Sequence, residues 1–208
     1  MSPSSYARDP AAIYAQSFAT IRAEADLSRL PEALHAVAIR MIHACGMVDL
    51  VDDIAGDPAV VEAARAALAG GAPVLCDCEM VRSGIIAKYL SGNELVVTLN
   101  DPAVPEIARQ LATTRSAAAV EQWRDRLAGA VVVIGNAPTA LFHLLDALAA
   151  GAPVPAAIIA APVGFVGAAE SKARLIAEAP VPYVTVSGRR GGSAIASAAF
   201  NAIAGASA

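Results

Sequence analysis

Three histidines, three cysteines and a set of arginines hold most of the chemistry this sequence could perform. His43 is the best placed of them. If residues 31–45 form a helix at ~100° per residue, Leu34, Val37, Ala38, Met41 and Cys45 fall on one stripe, the expected core face. His43 then lies on the opposite side. A solvent-facing side would be charged, yet this one carries Ala36, Ile39 and His43, with Arg40 at its edge. Such a second, weakly polar face suits a ligand cavity or a subunit interface; the alternative is a hydrogen-bonded packing histidine. His35, on an early turn, is expected to meet solvent, and His143, in ALFHLLDALA, to pack or cap a contact. His43, Cys45, Cys76 and Cys78 form only HxC and CxC pairs, without CxxC or HExxH spacing, so no metal is expected.

The basic residues are thirteen arginines against two lysines, Lys88 and Lys172. A GC-rich genome accounts for that bias, and so do several planar forks for carboxylate or phosphate groups. On the first helix Tyr14, Ser17, Phe18 and Ile21 share a face, with Arg22 beside Phe18. Either the helix is amphipathic and tolerates Ser17 on its border, or Ser17 and Arg22 reach ligand carboxylates. TTRSAAAVEQW puts Arg115 at a helix start, where a cation opposes the helix dipole. Its presence there is easier to explain if Arg115 and nearby backbone amides face an anion.

Elements that could position these groups alternate along the chain. Apolar strand-like runs occur at 73–77, 94–99, 131–135, 156–161 and 183–186. Helical patterns occur near 10–25, 31–45, 58–69, 79–88, 103–111, 115–127, 138–150 and 168–178, with a last helix from about 192. The expected fold is an α/β three-layer sandwich, with a mostly parallel sheet of about five strands and helices on both faces. Near-continuous apolar strands such as AVVVIG agree, because parallel strands are covered on both faces. Ligands of such sheets gather beyond the carboxyl ends of the strands, near helix N-termini. Three turns fit: GNAPTALF with Asn136, PVGFVGAAESK with Gly164 and Gly167, and GRRGGSA with Arg189 and Arg190. None is a GxGxxG fingerprint or a GxxxxGK[ST] loop, which leaves a generic anion site open and nucleotide binding unsupported. Residues 1–208 read as one domain, with 1–9 loosely ordered.

Bulk properties narrow the class. The chain is 56% hydrophobic and 16% charged, against roughly 25% charged in ordinary globular proteins. A membrane span is rejected, because the best candidate, 149–169, contains Pro153, Pro155, Pro162 and three glycines, which would leave backbone groups unpaired in lipid. The apolar excess is expected in helices buried on two sides, and hence in a subunit interface. No charged stretch followed by an apolar one opens the chain, so export is not expected, and an odd number of cysteines points to reduced thiols in a cytoplasm. A net charge of −4 argues against a general nucleic-acid binder.

The segments IYAQSFATIRAEADLSRLP, MIHACGMVDL, GAPVLCDCEMVRSGI, TTRSAAA, VVVIGNAPTALF and PAAIIAAPVGFVGAAESK, closing with GRRGGSA, resemble the precorrin-8X methylmutase family in order along nearly the whole chain. The long first segment and the GNAPTALF wording look closer to cobalt-free members than to cobalt-precorrin ones. The resemblance implies a homodimeric α/β isomerase that moves a methyl group from carbon 11 to carbon 12 of a tetrapyrrole, giving hydrogenobyrinic acid. It implies no redox or metal cofactor. Its catalytic histidine falls on His43, its substrate-contacting serine on Ser17 and its TRS arginine on Arg115, flanked by Thr114 and Ser116. Acetate and propionate arms would explain Arg22, Arg115 and Arg189 near helix N-termini; a broad apolar ring would explain a cavity with Tyr14, Phe18 and Met80. Asn136 completes the expected substrate contacts. Ile86 departs from relatives that carry Thr after SGI. Neighbouring enzymes of the pathway are further expected partners, and a tetrapyrrole carrier without turnover is the competing function.

Overall fold

The computed structural model describes residues 6–205. Its six-stranded sheet runs in the order β1 (Ile54–Gly56), β6 (Tyr183–Val186), β5 (Ala157–Ala160), β4 (Val131–Ile134), β2 (Val74–Cys76), β3 (Leu95–Val97). Strands β2 to β6 pair in parallel, and β1 joins the edge antiparallel to β6. The five apolar runs seen in the sequence are β2 to β6. The sixth strand, Ile-Ala-Gly directly after the 3-10 segment Val48–Asp53, is too short to show a period of two.

Alternation within the strands builds two cores. Val74, Cys76, Val131, Val133, Ala157 and Ile159 face one side, and Leu75, Val132, Ile134, Ile158 and Ala160 face the other. The first side is covered by α2 (His35–Cys45), α3 (Ala59–Ala69), α4 (Glu79–Gly84) and α9 (Ser193–Ala204), with α1 (Pro10–Glu24) lying on α2. The second side packs against α7 (Pro138–Ala149), α8 (Ala168–Glu178) and Trp123, with α5 (Val104–Gln110) and α6 (Arg115–Glu121) beside them. Helices therefore cover both faces. Among the described residues no helix is long and apolar enough to cross a membrane.

The sequence SAIASAAFNAIA explains where much of the apolar excess goes. Helix α9 is buried along most of its length between α2, α4 and the sheet, and small residues let its neighbours come close. At Gly84 a Cβ would sit 2.3 Å from Ser197 Oγ, so α4 approaches α9 only because that position is glycine. A helix buried on two sides thus exists within one chain.

Several boundaries differ from the expected ones. The helix expected at 31–45 opens with a 3-10 turn, Glu32–Leu34, and closes at Gly46 in the left-handed region, a common helix stop. The one expected at 79–88 ends at Gly84, because Ile85 is extended. The stretch 115–127 divides into α6 and a 3-10 turn, Arg124–Arg126. On α2, Cys45 is only half-buried and Ile39 is buried, so the core face is broader than the stripe drawn from spacing. Of the loosely ordered stretch expected at 1–9, residues 1–5 lie outside the described residues, and Asp9 accepts from Ala11 N as the cap of α1.

Candidate active site

His43 occupies the last turn of α2, half-buried, with its ring enclosed by α1. Residues 14, 17 and 18 share one side of a helix, and all three meet it. Ser17 Oγ lies 2.8 Å from His43 Nδ1, and the Tyr14 and Phe18 rings lie 5.4 and 5.2 Å from the imidazole, centroid to centroid. With Nδ1 held by a hydroxyl, Nε2 is the nitrogen left for a ligand. The ring borders a cleft of about 320 Å³ lined by Tyr14, Arg40, Ala44, Met80, Ser197 and Asn201 among others. Met80, 69% exposed, stands at the start of α4. Asn201 is buried, and its amide donates to Gly84 O (2.8 Å) and accepts from Ile86 N (2.9 Å). It thereby fixes the turn after α4. The weakly polar face of α2 therefore meets cavities: Arg40 and His43 line this cleft, and Ala36, Ile39 and Arg40 line its neighbour with Arg22.

The arginines divide into two groups. Arg29, Arg82, Arg109, Arg124, Arg126, Arg174 and Arg190 are ion-paired to carboxylates. Among the described residues Arg8, Arg22, Arg40, Arg65, Arg115 and Arg189 have no carboxylate partner, and Arg65 instead donates to Ile203 O. Arg115 Nη2 donates to Leu99 O (3.2 Å) and Asn100 Oδ1 (3.3 Å). Thr114 caps α6 by accepting from Ala117 N and donates to Thr139 Oγ1 at 2.8 Å, which ties the starts of α6 and α7 together. Ser116 is half-buried in the first turn of α6. Arg189 lies in a third cleft, of about 290 Å³, beside the 86% exposed Phe165, with its Cζ 5.4 Å from that ring.

These groups follow successive parallel strands: Met80 after β2, Asn100 after β3, Asn136 after β4, Gly164 after β5 and Arg189 after β6. All therefore stand at the carboxyl edge of the sheet, where ligands of such folds bind. Tyr14, Ser17, His43 and Met80 come together, with Arg22 at the adjoining cavity. Arg115, Thr114 and Asn136 belong to a second cluster at the starts of α6 and α7, and Arg189 to a third.

The turn at GNAPTALF corrects one expectation. Asp77, 3% exposed at the end of β2, accepts from Gly135 N (3.0 Å), Asn136 N (2.9 Å) and Ala137 N (2.8 Å). The chain's own carboxylate fills that anion site, leaving the exposed Asn136 side chain as the turn's contribution to a ligand. Burial pushes the Asp77 carboxyl above its ordinary range, and the three amide donors pull it back. Sequence reasoning missed Asp77; the available signal was an acid closing a buried apolar strand. It also missed Asn201, and Lys172, which is fully buried on α8 and donates to Arg190 O in the GRRGG loop. Burial holds the Lys172 ammonium down at about 8.

His35 also differs from expectation: it is half-buried, with Nε2 3.1 Å from Leu30 O. His143 Nε2 meets Glu121 Oε1 at 2.5 Å and bridges α7 to α6. Among the described residues no three His, Cys, Asp or Glu side chains gather into a metal site. Burial pushes the Cys76 thiol up, and Cys78 Sγ faces Ser193 Oγ at 3.6 Å.

Comparison with known proteins places these features in a family. The family model described as precorrin-8X methylmutase matches residues 12–206. The chain is 59% identical over 201 residues to the precorrin-8X methylmutase of Pseudomonas aeruginosa, covering 96% of this chain and 97% of that one. It is 35% identical to the cobalt-precorrin-8 methylmutase of Priestia megaterium, covering 93% and 87%. A crystal structure of precorrin-8X methylmutase from Thermus thermophilus superposes with a TM-score of 0.82 at 38% identity, covering 93% of this chain and 94% of that one.

Proposed function

The chain belongs to the precorrin-8X methylmutase family, isomerases of cobalamin biosynthesis that act through methyl migration, and we propose that it acts on precorrin-8X with His43 as general acid/base. The reaction moves a methyl group from carbon 11 to carbon 12 and yields hydrogenobyrinic acid. The observation that carries the reading is the Ser17–His43 hydrogen bond, which occupies Nδ1 at the edge of a cleft large enough to take part of a ring.

Chemistry of this kind asks little of a protein beyond orientation and a proton. The methyl group carries its bonding electrons along one face of a conjugated system, and no outside nucleophile takes part. A proton placed on the ring system makes it electron-poor and lowers the barrier, and the same proton is returned once the methyl has moved. In the charged imidazole Nδ1–H donates to Ser17 Oγ and Nε2–H faces the ligand. Tyr14, Phe18 and Met80 supply apolar surface to the ring. Arg22, Arg115 and Arg189 serve its carboxylate arms, helped by Thr114, Ser116 and Asn136; charged hydrogen bonds of this sort are the strong ones. The mechanism uses no cofactor.

The cobalt-free substrate is favoured by the higher identity to the Pseudomonas protein than to the cobalt-precorrin one. A homodimer is favoured by α1, which buries only Ile21 and exposes Ile13 and Tyr14 beside the cleft. The three free thiols suit a reducing cytoplasm, and the single sheet with its two helical layers suits one domain. Neighbouring pathway enzymes are proposed as partners that deliver substrate or accept product. Incubation with precorrin-8X tests the function. The expected result is a changed absorption spectrum and a product of unchanged mass; tight binding without conversion would favour a carrier.

A further inference from the structure

Next to the His43 cleft lies a smaller cavity of about 190 Å³, walled by Phe18, Ile39, Arg40, Tyr89 and Asn201, with the exposed Arg22. The two cavities share Arg40 and Asn201. Phe18 touches both sides of the divide: its ring meets His43 edge-on at 5.2 Å, and Arg40 Cζ lies 5.8 Å from its centroid. We propose that this cavity is a carboxylate subsite, in which Arg22 and Arg40 together hold one acetate or propionate arm of the ligand whose ring occupies the His43 cleft. The proposal rests on the tetrapyrrole reading above and adds Arg40 to the binding residues.

Charge is the first argument. The chain has more acids than bases, nineteen against fifteen, and seven arginines elsewhere are neutralised by neighbouring carboxylates. Arg22 and Arg40 stand at one cavity with no such partner among the described residues. Two guanidiniums beside one small cavity repel each other, and an arriving carboxylate turns that repulsion into attraction. Lys88, whose ammonium lies 5.4 Å from the Tyr89 ring, adds to the positive field.

The walls supply the second argument. Phe18, Ala36, Ile39 and Ala202 offer carbon surface for the methylenes of an aliphatic arm. Asn201 is held in place by its bonds to Gly84 and Ile86 and brings no negative charge to the cavity. Shared walls let an arm pass from one cavity to the other while remaining on the protein. Planar guanidinium forks match a carboxylate bidentately, so the class of ligand is a short aliphatic carboxylate attached to a larger apolar body.

The test uses the full-length protein and hydrogenobyrinic acid, titrated by absorbance at low and high salt. The variants are Arg22→Gln, Arg40→Gln and Arg40→Lys, with Arg109→Gln as a control whose residue pairs only with Glu106 on its own helix. Arg22→Gln and Arg40→Gln should each weaken binding by about ten- to a hundredfold, the range for a lost charged hydrogen bond. Their affinity should also fall less steeply with salt than that of the wild type. Arg40→Lys, which keeps the charge, should lose less, and Arg109→Gln nothing. Thermal melts of each variant close to that of the wild type would show that the fold survives. Unchanged affinity in both Gln variants, or equal losses in Arg40→Gln and Arg40→Lys with an unaltered salt dependence, would overturn the subsite. Wild-type protein that fails to bind the acid at all would overturn the tetrapyrrole reading beneath it.

Discussion

Replacing Asp77 with asparagine changes one atom of a side chain that holds three backbone amides. Oδ1 accepts from Gly135 N and Oδ2 from both Asn136 N and Ala137 N, at 2.8–3.0 Å. Asparagine keeps one acceptor oxygen, which can serve two of those donors at best, and turns an NH2 group toward the third. One buried N–H left unsatisfied costs about 1–3 kcal/mol. Loss of a negative charge at the start of α7 adds roughly 0.3–1 kcal/mol. Against this stands the relief of no longer burying a carboxyl that burial pushes upward. The net expectation is a loss of about 1–3 kcal/mol, or a melting point lowered by about 2–4 °C per kcal/mol in a chain of this size. Asp77→Ala orphans all three amides and should cost more than Asp77→Asn. Added acetate should restore part of the Asp77→Ala loss by entering the vacated site. Denaturant and thermal unfolding measure both variants, and titration with hydrogenobyrinic acid reports whether the loosened turn, which carries Asn136, weakens binding. An Asp77→Asn protein as stable as the wild type, or an Asp77→Ala protein more stable than Asp77→Asn, would refute the reasoning.

Further outcomes are expected elsewhere. Ser17→Ala removes the Nδ1 hydrogen bond and should slow turnover about five- to tenfold through lost orientation worth roughly 1 kcal/mol; single-turnover kinetics with an unchanged rate would remove Ser17 from the site. Arg115→Ala should weaken product binding about tenfold or more, whereas Arg109→Ala should not; equal affinities by titration would place Arg115 outside the site. Lys172 sits at about 8 in the fold against an ordinary 10.5. Below 8 it is charged in both states and its burial counts against the fold; between 8 and 10.5 the native amine is neutral while the unfolded one stays charged, so unfolding must take up a proton and stability rises with pH. The wild type should therefore gain on Lys172→Met across that window, and a stability difference that stays flat with pH would contradict it. Sedimentation at micromolar concentration should show a dimer, and a monomer alone would count against the exposed α1 as an interface.

What the sequence made legible was what rests on local periodicity. VVVI and AIIA announce strands covered on both faces, and they are β4 and β5, buried throughout. The odd face of α2, with Ala36, Ile39 and His43, announced a cavity or an interface, because a water-facing helix would have been charged there. Long-range closure was not legible. Nothing local says that Asp77 must reach three amides almost sixty residues away, or that Asn201 must hold the 84–86 turn from α9. Strand β1 was missed because three residues carry no period, and its pairing to β6 is set by the sheet rather than by its own composition. The large apolar fraction pointed to an interface, yet part of it is spent inside the chain on α9, which packs so closely on α4 that a Cβ at Gly84 would collide with Ser197. The arginines were equally opaque in one dimension, since ion pairing is what separates Arg190, held by Asp49, from Arg189 beside it.

The central claim is that His43 gives the tetrapyrrole its proton. Single-turnover conversion of precorrin-8X by the wild type and by His43→Asn, followed by absorbance, measures it most directly. Asparagine retains a hydrogen bond and roughly the size of the ring but cannot deliver a proton. The variant should fold and bind the substrate while converting it about 10²- to 10⁴-fold more slowly, the usual contribution of a positioned acid. Conversion by His43→Asn at close to the wild-type rate would contradict the account, and the proton would then have to come from another group or from water.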